Sequence, residues 1–139
     1  MTAVSGKSWP HMTSHEEFRF LSDLVFTRSS ADHTMVSLYD HHTGTTRFTN
    51  NQIVQNVDTR RGILSVRVAC DGRHGTARTT DFTAGAIQDT VTRAERIARV
   101  SPVDPEYLPP PAPCAFPVRE AAKPETVGAG PARRLEYTN

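Results

Sequence analysis

The sequence predicts an α+β fold in which an antiparallel sheet of four to five strands is flanked by two helices and followed by a proline-rich C-terminal extension. Three observations predict it. Apolar residues recur at helical spacing in residues 16–28 and 83–100, and between these segments they alternate with polar residues, as in half-buried strands. Beyond residue 101 the composition changes, because nine of the ten prolines lie between Pro102 and Pro131.

The first helix is predicted over residues 16–28. The apolar residues that recur on one of its faces are Phe18, Leu21 and Val25. Ser14 is a candidate N-cap, and Glu17 stands at the position that closes a capping box. We therefore expect this helix to begin at a defined residue and to pack its apolar face on the sheet.

The same segment opens with His15 and Glu16, which is how the H-E-x-x-H motif of zinc peptidases begins. A helical zinc site needs its second histidine three to five residues after the first, so that both imidazoles leave one face. The two positions at which the motif or its longer form would place that histidine hold Arg19 and Phe20. The segment is therefore predicted to be a capped amphipathic helix, with no metal role for His15.

The strands are predicted as an antiparallel meander. Val36 and Leu38 share one face of the first strand. The strongest strand covers residues 63–70, and the side chains that share one of its faces are Leu64, Val66, Val68 and Cys70. Small residues in the following segment, 74–81, suit a closely packed return strand.

Turn residues divide this meander. The predicted turns are residues 40–45, Asn50-Asn51, residues 58–62 and Asp71-Gly72, the last being a strong tight-hairpin signal. Phe48, Ile53 and Val57 are expected to face inward, but their alternation breaks between the first two. The two amides at this break indicate a bulge or a short turn inside a strand pair.

The second helix is predicted to begin after Thr83, a candidate N-cap. Its apolar stripe consists of Ile87, Val91, Ala94, Ile97 and Ala98. Near its C-terminal end lie Arg93, Arg96 and Arg99, whose positive charges interact favourably with that end of the helix dipole. They are spread around the helix, which favours a solvated face over the clustered basic patch that nucleic-acid binding requires.

Composition excludes several classes of function. The chain has 139 residues and a formal net charge of +1, so nothing in its charge indicates nucleic acid or an anionic membrane as a partner. Its apolar runs are too short to span a bilayer. The two cysteines, Cys70 and Cys114, form no C-x-x-C pair, which indicates neither a disulfide framework nor a zinc knuckle and favours a reducing, cytoplasmic setting.

Three regions are predicted along the chain. Residues 1–13 have no periodicity and are expected to be a flexible lead, and residues 14–101 form the α+β domain. Residues 102–139 are expected to be an extended, polyproline-like linker that leaves this domain and then begins a further, missing C-terminal domain. The last feature is a helix start at Pro131, which suits a first helical turn.

The ordered series of residues from about 14 to 112 resembles the N-terminal domain of the TldD/PmbA family. The residues of the resemblance are Arg47, Phe48, Asn51, Ile53, Gln55, Val66, Arg67, Val68, Gly75, Ala77, Thr79, Ala94 and Ala98, followed by the segment SPVDPEYLP. No short motif among them is diagnostic. The order of the whole series over about a hundred residues is what identifies the family.

The resemblance implies a function that the composition alone does not. Family members are two-domain, dimeric metallopeptidases of the bacterial and archaeal cytoplasm, also labelled modulators of DNA gyrase, that cleave unfolded or extended peptides. Zinc or another divalent metal is bound by an H-E-x-x-x-H helix in the C-terminal domain, so no cofactor is expected in this chain. A homodimer, or a heterodimer with a family paralogue that contributes the metal site, is expected.

Two functional hypotheses follow. In the first, the chain is the N-terminal, non-catalytic domain, or a truncated member, of a TldD/PmbA-type metallopeptidase that degrades or processes extended peptides. In the second, it is a free-standing module that binds peptides or a partner and regulates a full-length subunit. Neither hypothesis involves nucleic acid or a membrane, and whether this polypeptide is itself an enzyme stays open.

The residues predicted to contact a substrate or a second subunit lie in the amide-rich strand. Arg47 is suited to a substrate carboxylate, while Asn50, Asn51 and Gln52 are suited to peptide groups presented at a strand edge. The alternative is that the two asparagines only shape a bulge. No catalytic residue and no metal ligand is predicted in the chain.

Overall fold

The structure is a computed structural model that describes residues 13–112, 114–115 and 123–137. The predicted flexible lead therefore lies outside the described residues, apart from Thr13. The elements in chain order are α1 (His15–Arg28), β1 (His33–Thr49), β2 (Gln52–Cys70), β3 (Arg73–Thr79), α2 (Ala84–Val100), α3 (Pro124–Val127) and α4 (Pro131–Glu136). The predicted α+β class is confirmed.

The sheet has three strands in the described part of the chain, in the order β1-β2-β3, rather than four to five. Residues 40–45 and 58–62, predicted as turns, instead continue β1 and β2. Among the described residues, positive φ occurs only at Asn50-Asn51 and Asp71-Gly72, so neither of the two wrongly predicted segments bends the backbone as a tight hairpin requires.

Both real turns have two residues with left-handed backbone. The φ angles are 48° and 56° at Asn50 and Asn51, and 50° and 70° at Asp71 and Gly72. Positive φ at both central positions matches the right-handed twist of the flanking strands, and Asn, Asp and Gly accept it with least strain. Of the two possibilities left open at the asparagines, the structure has the short turn rather than the bulge.

Local side-chain hydrogen bonds start both long helices. The backbone N–H of Ser14 donates to Glu17 Oε2 at 2.7 Å, and the N–H of Glu17 donates to Ser14 Oγ at 3.2 Å, which completes the predicted capping box. In α2, Thr83 Oγ1 accepts from the N–H of Ala86 at 3.4 Å. The predicted N-caps of both helices are confirmed.

The core lies between one face of the sheet and the two long helices. Its buried members are Leu21 and Val25 of α1, Leu64, Val66 and Val68 of β2, Ala77 of β3, Phe82, and Ile87, Val91, Ala94 and Ala98 of α2. Val36, Leu38 and Cys70 pack against this cluster. The alternation predicted for β1 and β2 therefore gives the correct inward face at this end of the sheet.

The chain divides into two compact units. Among the described residues, the first comprises 13–41 and 61–111, and it contains the core and the paired β2–β3 ladder. The second comprises residues 42–60 and the described residues between 112 and 137. We call residues 42–60 the hairpin arm and residues 104–111, which follow α2, the strap.

Candidate functional site

The four predicted contact residues lie at the tip of the hairpin arm. Asn50 and Asn51 form its turn, and Arg47 and Gln52 stand on the strands beside them. All four are exposed. None of their side chains makes a hydrogen bond or an ion pair with another described residue, so the tip offers one guanidinium and three amides to solvent.

The arm also exposes apolar side chains, which corrects the expectation that they face inward. Phe48, Ile53 and Val57 are 42%, 40% and 37% exposed, and Val54 is 60% exposed. Alternation along a strand groups side chains by face but does not show that a core covers that face, and residues 42–60 lie outside the core unit. An isolated hairpin is marginal in water, so apolar groups on both faces of this arm suit contact with another surface.

Polar pairs link the two strands of the arm. His42 Nε2 and Asp58 Oδ1 are 2.7 Å apart, and Thr46 Oγ1 donates to Asn56 Oδ1 at 2.9 Å. These side chains are exposed or half-buried, so solvent weakens the His42–Asp58 interaction. These pairs link facing residues of the two strands, and neither connects to a third catalytic group among the described residues.

The second unit also contains a close contact between α4 and the arm. A Cβ added at Gly44 would overlap the guanidinium of Arg134. The same guanidinium donates from Nη2 to Asn56 Oδ1 at 3.5 Å. Gly44 is therefore a site of close side-chain approach within a strand, and not the turn residue that its sequence context predicts.

The tip turn gives a test of what the asparagines do. Replacing Asn51 with glycine keeps the positive φ and removes the side chain, so we expect the arm to be stabilised by about 0.5–1 kcal/mol. Slower amide hydrogen exchange within residues 46–56 would measure it. Asn51→Ala is the matched control, because alanine lacks both the side-chain amide and the tolerance of positive φ, and it should speed the same exchange.

A second candidate site lies on the first unit. The strap begins at the β2–β3 turn, where the N–H of Asp104 donates to the carbonyl of Gly72 at 2.8 Å and Arg73 Nη1 donates to the carbonyl of Ser101 at 2.5 Å. Asp104 Oδ2 lies 3.4 Å from His74 Nε2. The strap segment of the expected linker therefore lies against the sheet.

An aromatic cluster continues this attachment. The ring of Tyr107 lies between the imidazoles of His74 and His33, with centroids 5.3 Å and 6.2 Å apart. Ala69 is only 5% exposed although its strand neighbours Val68 and Cys70 face the core on the opposite side. Its burial on the outer face places it in the shallow site that the strap borders, which we call the strap groove.

The strap groove has a volume of about 660 Å³. Its lining residues are His33, Thr34 and Met35 of β1, Arg67, Val68 and Ala69 of β2, His74 of β3, and Asp104 and Glu106–Pro111 of the strap. Sequence reasoning missed this site, because it depends on the strap folding back. The available signal was Tyr107, an aromatic residue within a proline-rich segment.

No group of three or more His, Cys, Asp or Glu side chains that could hold a metal ion occurs among the described residues. No helix of the described chain is long and apolar enough to cross a membrane.

Cys70 has a distinct environment at the end of β2. Partial burial, together with the nearby carboxylates of Asp32 and Glu95, raises the pKa of its thiol above the usual value. Cys114 is exposed. A raised pKa leaves less thiolate at neutral pH, and thiolate is the reactive form.

We therefore expect iodoacetamide at pH 7.5 to alkylate Cys114 about tenfold faster than Cys70 in the folded chain. Quantifying the two alkylated peptides by mass spectrometry over time measures this ratio. The same measurement in denaturant is the control and should bring the two rates together. Equal rates in the folded chain would show that the environment of Cys70 does not protect it.

Comparison with known proteins identifies the architecture. Residues 35–98 match the family described as PmbA/TldA metallopeptidase domain 1. The fold is similar to the crystal structure of TldE from Thermococcus kodakarensis, with a TM-score of 0.64 and 17% sequence identity, over 82% of this chain. The chain spans 24% of the length of that protein. No curated protein sequence matches.

Proposed function

We propose a function on the premise that the chain carries the N-terminal domain of the TldD/PmbA family. In this proposal the chain is a non-catalytic domain of a metallopeptidase, and that metallopeptidase degrades or processes extended peptides. The resemblance predicted from the sequence is confirmed. The single observation behind the proposal is the match of residues 35–98 to the first domain of this metallopeptidase family.

The chemistry of hydrolysis explains why the proposed role is non-catalytic. A catalytic zinc ion needs about three protein ligands and an open position for water. The described residues offer no such group. We propose that zinc or another divalent metal is bound by the family's C-terminal H-E-x-x-x-H domain, and that residues 14–101 contribute a surface beside the peptide.

The hairpin arm is proposed as the contact surface for a second subunit, either another copy of the chain or a family paralogue, in the cytoplasm. Its exposed Phe48, Ile53 and Val54 provide apolar area, and the guanidinium of Arg47 provides a charged anchor. As a second role, we propose that an extended peptide pairs with the outward backbone N–H and C=O groups of the edge strand β1. The subunit contact is favoured, because the apolar groups occur on both faces of the arm.

The alternative of a free-standing regulatory module is less favoured, since the structural match is to part of a much longer protein.

The family's link to DNA gyrase is proposed to be indirect. With a net charge of +1, the chain has little overall electrostatic attraction to DNA. Unchanged mobility of duplex DNA in a low-salt gel shift is the expected result.

Reconstitution with a full-length family subunit that bears the H-E-x-x-x-H helix tests the proposal. We expect the chain to co-elute with that subunit at micromolar concentration and to show no chelator-sensitive peptide cleavage by itself. Arg47→Ala and Val54→Ser should weaken co-elution, whereas Arg96→Ala, an exposed arginine on α2, is the matched control. Cleavage by the chain alone, or absence of any association, would contradict the proposal.

A further inference from the structure

We propose that the strap groove binds a short peptide with free termini, its carboxylate on Arg67 and its ammonium group on Glu106. The proposal rests on the proposed function for the choice of a peptide among zwitterionic ligands. The groove itself follows from the geometry of the first unit.

The floor of the groove is the outer face of the sheet. Arg67 pairs with Thr76 and Ala69 with His74 across β2 and β3, so these four side chains share the face opposite the core. On β1, Met35 is 56% exposed, while its neighbour Val36 packs against the core. The floor therefore combines one guanidinium with apolar and imidazole groups.

The strap forms the wall, and its own contacts hold it in place. Asp104 is occupied, because its Oδ2 faces His74 and its Oδ1 accepts from the N–H of Glu106 at 3.0 Å. Tyr107 is positioned between two imidazoles. A wall attached to the β2–β3 end of the sheet gives a preformed groove, which reduces the ordering cost of binding.

Two opposite charges in the groove are left without a protein partner. Arg67 and Glu106 both belong to the lining of the site, and no ion pair among the described residues includes either of them. Both are solvated, so a ligand can replace water without breaking a protein salt bridge. A ligand that carries one negative and one positive group matches this pair, whereas a purely anionic or cationic ligand leaves one charge unmatched.

The remaining lining favours a ligand with apolar side chains between its charged ends. Met35, Leu108 and the ring of Tyr107 line the groove together with three consecutive prolines, Pro109–Pro111. These groups bury aliphatic side chains well, and methionine adapts to different shapes. A volume of about 660 Å³ lies within the range of small-ligand sites and accommodates a tripeptide.

Titration of the 139-residue chain with Ala-Leu-Ala, followed by amide chemical shifts, tests this proposal. We expect shifts in residues 33–35, 67–69 and 104–108 and saturation at millimolar peptide or below. Acetylating the peptide's N-terminus or amidating its C-terminus should each weaken binding about two- to fivefold, as loss of an exposed ion pair does.

Variants connect each terminus to its residue. Glu106→Gln should weaken binding of the free peptide about two- to fivefold but leave binding of the acetylated peptide unaffected. Arg67→Met should weaken binding of the free peptide to the same extent but leave binding of the amidated peptide unaffected. Arg78→Met, an exposed residue further along the same face of β3, is the matched control and should change nothing.

Failure to bind at millimolar peptide, or equal weakening of free and blocked peptides by both variants, would overturn the proposal. Shifts confined to the hairpin arm would also overturn it. Each of these three results leaves the reconstitution experiment unaffected, because that experiment measures association and cleavage in a complex. Conversely, peptide binding in the strap groove without any association would contradict only the proposed metallopeptidase role.

Discussion

Gly75→Ala is expected to destabilise the first unit by about 3 kcal/mol or more. Gly75 is buried in β3, beneath α2. A Cβ at this position would overlap the carbonyl oxygen of Ala94 and lie 2.5 Å from the backbone nitrogen of Ala98. Both groups belong to the helix backbone, which cannot rotate aside as a side chain does, so α2 must shift away from the sheet.

Thermal unfolding of purified variants measures this effect, and we expect the melting temperature to fall by roughly 12 °C or more. Gly85→Ala is the matched control. A Cβ at Gly85, in the first turn of α2, meets no atom within 4 Å, so alanine should stabilise the helix by up to about 1 kcal/mol. A Gly75→Ala variant as stable as the parent chain would show that α2 does not pack this closely on β3.

Leu21→Ala is expected to cost on the order of 2–4 kcal/mol. Leu21 is 0% exposed and belongs to the core cluster between α1, α2 and the sheet. Removing its isobutyl group loses the transfer free energy of that group and leaves a cavity that the packed neighbours fill only in part. Denaturant unfolding followed by circular dichroism measures the loss.

Leu108→Ala is the control with the same chemistry. Leu108 is 83% exposed on the strap, so its truncation creates no cavity and should change stability by less than about 0.5 kcal/mol. Similar losses for both variants would mean that α1 is not anchored through Leu21. The order of the two effects thus tests whether α1 packs on the core as described.

The helices were predictable because their signals are local. Ser14 and Glu17 reach each other within one turn, and Thr83 lies next to the first turn of α2. The inward-facing side chains of the strand segment 63–70 were equally predictable, since period-two alternation follows directly from strand geometry. In these elements neighbouring residues determine the conformation, and distant contacts only reinforce it.

The number of strands was not predictable in the same way, because a glycine can mark either a turn or a strand position that a distant side chain approaches closely. Gly44 and Gly62 each stand beside turn-forming residues, which indicates a turn. Both instead lie within strands where a distant side chain crosses the backbone: the guanidinium of Arg134 at Gly44, and the ring of Phe82 at Gly62, where a Cβ would lie 2.9 Å from Cζ. Only the tertiary contacts distinguish the two cases.

The two candidate sites differ in the same respect: the arm tip is built from residues adjacent in sequence, and the strap groove from residues far apart. Arg47, Asn50, Asn51 and Gln52 are adjacent in sequence, so their common position at the arm tip could be predicted, although the arm's exposure could not. The strap groove brings Arg67 and Glu106 to one site across 39 residues of chain. That juxtaposition depends on the contact of Tyr107 with His33 and His74. Hydrophobic periodicity in the sequence does not predict such a long-range contact.

Calorimetric titration of the purified 139-residue chain with zinc tests most directly whether this domain is non-catalytic. We expect no saturable binding of one zinc ion per chain at micromolar affinity, since the described residues contain no three-ligand group. His15→Ala and His42→Ala should leave the heat of titration unchanged. Stoichiometric zinc binding by the parent chain that either substitution abolishes would contradict the proposed role and place a metal site in this domain.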